Sequence, residues 1–151
     1  MFNIINFMKS KKNKYFYIPL ILWMIIIFYF SHQPVNESSQ LSEGISKPIV
    51  EKLESNIKTD IVEEKFDYLI RKIAHFTEYM ILGILMYIAS SKNNIPRNKK
   101  VLWCILLCAL YAITDEVHQA FVPGRAPRVF DVLIDTAGSI TGILMTKFII
   151  K

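Results

Sequence analysis

The stretch FYIPLILWMIIIFYF, residues 16–30, has no charged residue and no polar face at helical spacing. Helices on the outside of a soluble bundle normally keep one polar side, so this stretch is typical of a helix surrounded by lipid. Apolar blocks of similar length recur along the chain, and each approaches the roughly 20 residues that cross about 30 Å of hydrocarbon. The blocks are Tyr15–Phe30, Ile73–Ser90, Val101–Val122 and Val129–Ile150. With 52% hydrophobic residues, the sequence predicts an all-α integral membrane protein built as a four-helix bundle.

The positions of the basic residues predict how this bundle is oriented. Acid-free basic segments are Lys9 to Lys14 before the first block, Lys92 to Lys100 between the second and third, and Lys147 to Lys151 at the end. Lys and Arg on short loops favour the cytoplasmic side. We therefore expect a multi-pass protein of a bacterial cell membrane with both termini cytoplasmic and the 32–70 loop and 123–128 turn outside. The net charge of +5 then reflects topology and predicts no nucleic-acid partner.

Two regions are predicted from these boundaries. Residues 1–14 form a cytoplasmic basic tail, and residues 15–151 form the membrane domain, whose outer loop spans about 32–70. Within that loop Ile49, Leu53 and Ile57 recur every four residues, which predicts a short amphipathic helix at the outer surface. The end of the first block, IIIFYFSHQP, lacks the small-residue pattern of a signal-peptidase site, so we expect an uncleaved anchor.

Polar residues from every predicted helix fall at one depth, near the outer ends of the spans. They are Gln33 after the first span, His75 and Glu78 in the second, Asp115, Glu116, His118 and Gln119 in the third, and Asp131 and Asp135 in the fourth. An acid facing lipid costs roughly 2.5–3.5 kcal/mol near a helix centre, so these side chains should point inward. There Lys72, Arg125, Arg128 and the histidines can neutralise them. The pattern predicts an outward-facing polar pocket.

Helical spacing supports an inward polar face. Lys72, His75 and Tyr79 share one stripe, and Asp115, His118 and Gln119 share another. On the fourth span Gly138 and Gly142 form GxxxG, which lets a neighbouring helix approach closely. Cys104 and Cys108, four residues apart, are interpreted as small packing residues rather than a disulfide or metal pair.

Four motifs resemble, in order and spacing, those of the VanZ-like membrane proteins. They are FSHQP at 30–34, RKIAHFTEYMILGIL at 71–85, DEVHQAFVPGR at 115–125 and DVLIDTAGSITG at 131–142. The resemblance implies a small four-helix bacterial membrane protein, in a family whose namesake is linked to low-level resistance to the glycopeptide teicoplanin. The signature residues it implies here are Lys72, His75, Glu78, Asp115, Glu116, Gln119, Gly124, Arg125, Asp131 and Gly138. His32 and Asp135 depart from the family pattern, which often has a small polar residue and asparagine there.

The predicted binding residues are Gln33, Lys72, His75, Glu78, Asp115, Glu116, Gln119, Arg125, Asp131 and Asp135. Arg125 offers a planar fork for phosphate or carboxylate, or pairs with Asp131 or Glu116. The leading hypothesis is binding of a polar or phosphorylated lipid-linked envelope component, with membrane lipids and a cell-wall precursor or glycopeptide as partners, which lowers teicoplanin susceptibility. The oligomeric state is left open.

Three other readings of the polar cluster stay open. One is an interfacial hydrolase or transferase acting on lipid headgroups, with His75, Glu78, Asp115, Glu116 and His118 as catalytic candidates. It could depend on a metal held by the histidines and carboxylates, although the spacing matches no dedicated metal motif, and we predict no metal and no cofactor. The others are a proton-coupled transporter and a polar network that only fixes helix register.

Overall fold

The computed structural model describes residues 15–34, 40, 44, 60–91, 93 and 95–150, with the backbone alone for 60–64. These residues form four helices and no strand: α1 Tyr17–Ser31, α2 Asp60–Ser90, α3 Arg97–Gln119 and α4 Val129–Ile149. The predicted all-α class is confirmed. The predicted tail at 1–14 and the predicted amphipathic helix around 49–57 lie outside the described residues.

Helix length separates α1 from the other three helices. Lys65–Ser90 within α2, all of α3 and all of α4 are long and apolar enough to cross a membrane. α1 is strongly apolar but has 15 residues, or about 22 Å at 1.5 Å per residue, so it falls short of the roughly 20 residues that cross the hydrocarbon. α2 runs without interruption from Asp60, well before the second apolar block begins at Ile73.

Glycines bring α2 and α4 into the closest helix contact of the bundle. A Cβ atom at Gly138 would overlap the Phe76 carbonyl of α2, and one at Gly142 would overlap the Met80 carbonyl. Gly83 makes the reciprocal contact, because a Cβ atom there would overlap the Ser139 carbonyl of α4. Since only glycine leaves room for backbones at this separation, the predicted GxxxG contact is confirmed, and α2 supplies both the partner and a third glycine.

Two aromatic hydrogen bonds attach α1 to its neighbours. The Trp23 indole N–H donates to the Glu78 carbonyl of α2 at 2.9 Å, and the Tyr111 hydroxyl of α3 donates to the Met24 carbonyl at 2.7 Å. Behind them Cys104 and Cys108 are free, buried thiols in the core, as their interpretation as packing residues predicts. Small side chains on this face of α3 let the helices pack tightly.

The outer surface of the bundle is apolar along its length. On α3 the exposed large hydrophobic side chains are Leu102, Trp103, Leu106, Leu107, Leu110, Ile113 and Val117. In contrast, the buried side chains near the end of this helix are Asp115, Glu116 and Gln119. This arrangement, apolar outside and polar inside, is the one expected where lipid surrounds the protein.

Candidate functional site

Two ion pairs join α2 to α4 near the end of the bundle where α1 and α3 end and α4 begins, called the polar end below. The Lys72 ammonium pairs with the Asp131 carboxylate, and both side chains are largely buried. One helical turn deeper, His75 Nδ1 lies 3.4 Å from Asp135 Oδ1. That distance suits an ion pair but the two atoms lack hydrogen-bond geometry. The α2 stripe and the two aspartates of α4 therefore face each other, as predicted.

The acids of α3 have different partners. Asp115 Oδ2 accepts a hydrogen bond from the Gln119 side-chain amide at 3.3 Å, within the same helix face. Glu116 Oε1 accepts the backbone N–H of Arg128, the N-cap residue of α4. A carboxylate at a helix N-terminus is stabilised by the free N–H groups and the helix dipole. The positive end of α4 thus receives Glu116, which has a structural part in starting this helix.

A tight turn places Arg125 over the polar end. The Arg125 N–H donates to the Val122 carbonyl at 3.1 Å, Pro123 and Gly124 occupy the two central positions, and Gly124 has φ 79°. This is the pattern of a type II turn, in which proline sets the second residue and glycine accepts the positive φ of the third. The sequence PG therefore fixes the direction in which Arg125 leaves the turn.

Arg125 makes structural hydrogen bonds and also lines the cavity described below. Its Nε donates to the Gln33 carbonyl at 2.9 Å and its Nη2 to the Phe30 carbonyl at 3.3 Å, so it satisfies carbonyls at the end of α1. Gln33 thus takes part through its backbone. Burial lowers the pKa of the Arg125 guanidinium, which nevertheless remains charged because arginine does not deprotonate in proteins.

A cavity of about 280 Å³ opens at the polar end between α2, α3 and the 120–128 turn. Its wall is rich in cations. The lining residues are Tyr68, Arg71, Lys72, His75, Gln119, Gly124, Arg125, Ala126, Arg128 and Asp131. Four Lys or Arg side chains against one carboxylate make this wall electropositive, which favours an anionic ligand.

Behind the cavity wall lies a second layer of buried polar groups. Six buried side-chain atoms of the described residues have no hydrogen-bond partner, and all lie toward the polar end: Ser31 Oγ, His75 Nδ1, Tyr79 Oη, Asp115 Oδ1, Glu116 Oε2 and Asp135 Oδ1. Every helix contributes at least one of them. An unsatisfied buried polar atom costs about 1–3 kcal/mol, so such clusters are uncommon unless something else satisfies them.

Two predicted residues differ from the others in placement. The Glu78 carboxylate lies within electrostatic range of His75, Asp115 and Arg125, while its backbone carbonyl accepts the bond from Trp23. The His118 ring lies toward the end of α1, with Nε2 at 3.1 Å from Nδ1 of His32.

The setting of His118 separates it from the carboxylates. Its ring packs against Phe28 of α1 at 4.5 Å between centroids. The expected grouping of His118 with His75 and the aspartates is therefore not what the structure shows, because His118 turns toward α1. Among the described residues no three His, Cys, Asp or Glu side chains form a metal-binding group.

Three residues at the site were not predicted as site residues. Tyr68 and Arg71 line the cavity, and Tyr79 is fully buried beside Tyr111 with its hydroxyl unpaired. The signal for them was present: positions 68, 71, 72, 75 and 79 of α2 follow the i, i+3, i+4 and i+7 spacing of one helix face. Extending the stripe of Lys72, His75 and Tyr79 by one turn would have found Arg71 and Tyr68.

The sequence model of the VanZ/LLP1 family matches residues 16–150, nearly the whole chain. The chain belongs to the VanZ/LLP1 family. Family membership and the membrane-length helices together make it a VanZ-like membrane protein. No curated protein and no solved structure matches the chain significantly.

Proposed function

We propose that this VanZ-like protein binds the anionic headgroup of a lipid-linked envelope component in the cavity at the polar end, and thereby lowers susceptibility to teicoplanin. The observation that carries the proposal is the electropositive wall, with Arg71, Lys72, Arg125 and Arg128 around one cavity. Guanidinium groups suit phosphate because their planar donors match its oxygens. On the orientation predicted from the basic loops, this cavity faces the outside of the cell membrane.

The size of the cavity favours a headgroup over an intact antibiotic. Sites for drug-sized ligands occupy about 300–1,000 Å³, and this cavity of about 280 Å³ lies just below that range. A phosphate with one small substituent fits such a volume, whereas a glycopeptide is far larger. Protection then comes from occupying a lipid-linked target rather than from enclosing the antibiotic.

The proposal is tested by removing one cation from the cavity wall and a matched cation elsewhere. Arg71→Ala removes a lining guanidinium, while Lys99→Ala removes an exposed charge from the start of α3, at the opposite end of the bundle. Both are expressed at equal levels in a teicoplanin-sensitive bacterium, and the inhibitory concentration of teicoplanin is measured. Protection should fall to the level of the empty vector with Arg71→Ala and stay unchanged with Lys99→Ala.

Two further variants extend this test to the predicted residues. Asp115→Ala and Arg125→Ala should also lose protection if the pocket carries the function, provided immunoblots show normal levels in the membrane. Full protection by Arg71→Ala, Asp115→Ala and Arg125→Ala alike would remove the cavity from the mechanism.

A hydrolase or transferase acting on headgroups is the second candidate. The observation that favours it is His75, which lines the cavity while its Nδ1 lies 3.4 Å from the buried Asp135 carboxylate, an arrangement that can orient an imidazole base. Incubating purified protein with radiolabelled envelope lipids, with and without divalent metal, distinguishes turnover from binding alone.

A further inference from the structure

The charges at the polar end are arranged in two layers, one behind the other. The cavity wall carries the cations Arg71, Lys72, Arg125 and Arg128. The layer behind it carries Asp115 and Asp135, which are 4% and 1% exposed and do not line the cavity. The wall, four cations with the single carboxylate of Asp131, therefore stands in front of two further buried carboxylates.

The two aspartates lie one side chain behind the wall. Gln119 lines the cavity and donates its amide N–H to Asp115, and His75 lines the cavity beside Asp135. Asp115 Oδ1 is buried without a hydrogen-bond partner among the described residues, and Asp135 Oδ1, also without a hydrogen bond, faces His75 Nδ1 at 3.4 Å. These oxygens accept hydrogen bonds and attract positive charge, so the inner layer suits a donor that carries a charge.

The contact between Gln119 and Asp115 shows what kind of group this layer accepts. At 3.3 Å the hydrogen bond from the Gln119 amide is long, and a neutral amide does not compensate the charge of a buried carboxylate. An ammonium group would supply both shorter hydrogen bonds and the opposite charge. The nearby hydroxyl of Tyr79, buried and unpaired, adds another acceptor.

We infer that the cavity recognises a zwitterionic headgroup, with a phosphate held by the cations of the wall and a primary amine that takes the place of the Gln119 amide beside Asp115 and of the His75 ring beside Asp135. The inference rests on the proposed headgroup binding and narrows it to phosphates that bear an N–H ammonium group. The same chemistry occurs in a free aminoalkyl phosphate and in an amine-bearing phospholipid. A cavity of about 280 Å³ accommodates a group of this size.

The test compares soluble headgroups that differ only at the amine. Phosphoethanolamine carries a primary ammonium, phosphocholine carries a quaternary ammonium without N–H donors, and ethyl phosphate carries no amine. Binding of each to the full-length protein in detergent is measured by calorimetry. Phosphoethanolamine should bind about 10-fold or more tighter than the other two, because charge-assisted hydrogen bonds to the aspartates form with it alone.

Two conservative variants test whether Asp115 and Asp135 cause the preference for phosphoethanolamine. Asp135→Asn and Asp115→Asn remove one negative charge each while keeping the shape of the side chain. In each variant phosphoethanolamine should lose most of its advantage over ethyl phosphate, and circular dichroism together with size-exclusion chromatography shows whether the variant is folded. If one variant fails to fold, the other still decides. A preference that survives in every folded variant would overturn the assignment to these aspartates.

Parallel experiments with lipids distinguish a membrane lipid from a free phosphate as the source of the headgroup. Nanodiscs containing phosphatidylethanolamine, phosphatidylcholine or phosphatidic acid are compared as partners of the same protein. Selective binding of the phosphatidylethanolamine nanodiscs assigns the site to a membrane lipid, and selectivity for phosphoethanolamine alone assigns it to a free phosphate.

Failure of this inference can be told apart from failure of the proposed function. Equal binding of phosphoethanolamine, phosphocholine and ethyl phosphate by wild type overturns the zwitterion inference but leaves anion binding in place. Binding of none of them, in soluble or lipid form, contradicts the headgroup proposal itself.

Discussion

At the end of the bundle opposite the cavity, where α2 and α4 end and α3 begins, polar groups pair with the chain itself. Arg97 Nη2 donates to the carbonyls of Lys147 at 2.5 Å and Ile150 at 2.7 Å, which satisfies the end of α4. The Thr146 hydroxyl is buried and donates to the Gly142 carbonyl at 2.8 Å. Among the described residues, no buried side-chain polar atom at this closed end lacks a partner.

The polar end uses a similar device but leaves more of its polar groups unpaired. Arg125 satisfies the last carbonyls of α1 much as Arg97 satisfies those of α4. Beside it, however, are the cation-lined cavity and six buried atoms without a hydrogen bond among the described residues, of which His75 Nδ1 and Asp135 Oδ1 face each other as an ion pair. The closed end shows that this chain can pair its polar groups fully. The polar end differs in that six buried side-chain atoms there have no hydrogen-bond partner within the part of the chain that the structure describes, which is a feature on which the inferred zwitterion site rests.

The largest expected effect comes from breaking the Lys72 ion pair, which tests whether paired charges stabilise the polar end. Lys72→Met leaves the Asp131 carboxylate, only 11% exposed, without its counterion. Removing one partner of a buried pair costs about 3–5 kcal/mol of unfolding free energy. The measurement is denaturant unfolding in detergent, followed by helical circular dichroism.

A second substitution provides the control for the ion pair. Adding Asp131→Asn to Lys72→Met removes the uncompensated charge, so the double variant should regain most of the lost stability. A double variant no more stable than Lys72→Met would show that the lysine acts through packing instead.

The next largest effect tests whether the glycine contact between α2 and α4 stabilises the bundle. Gly138→Ala places a methyl group against the Phe76 carbonyl of α2, and overpacking of this kind costs about 1–3 kcal/mol. Ala137 is exposed on the same helix, so Ala137→Leu adds more volume away from the contact and should change the unfolding free energy little. Equal losses in both variants would contradict the close contact.

The two capping arginines allow a direct comparison of the ends. Arg97→Gln and Arg125→Gln each remove a cation from the carbonyl end of a helix, and each should cost about 1 kcal/mol of unfolding free energy. Only Arg125 lines the cavity, so Arg125→Gln alone should also weaken binding of ethyl phosphate. Equal phosphate affinity in the two variants would mean that Arg125 is a structural residue only.

The sequence predicted those parts of the fold that depend on local pattern. Apolar blocks marked the helices and GxxxG marked the close contact, because each of these signals lies within a few turns of a single helix. The sequence did not show that α2 would supply Gly83 to the same contact.

The candidate site was predictable in its depth but not in its pairings. Helical spacing placed the polar residues at one end, since depth follows directly from chain position. Spacing could not assign Glu116 to the start of α4, or Arg125 to the end of α1, because both contacts depend on how the 120–128 turn folds back. For the same reason, spacing grouped His118 with Asp115 on one face, whereas in the structure the His118 ring contacts His32 after α1.

The smallest expected effect distinguishes the two histidines that the sequence grouped together. His118→Phe removes the contact with His32 but can keep the aromatic packing on Phe28, so it should cost less than about 1 kcal/mol at this exposed position. Binding of ethyl phosphate should not change, because His118 does not line the cavity. His75→Phe, in contrast, places an apolar ring in the cavity wall beside Asp135 and should weaken that binding. If His118→Phe impairs binding as much as His75→Phe, then the two imidazoles act on one ligand and the division of the polar end into a cavity side and an α1 side is wrong.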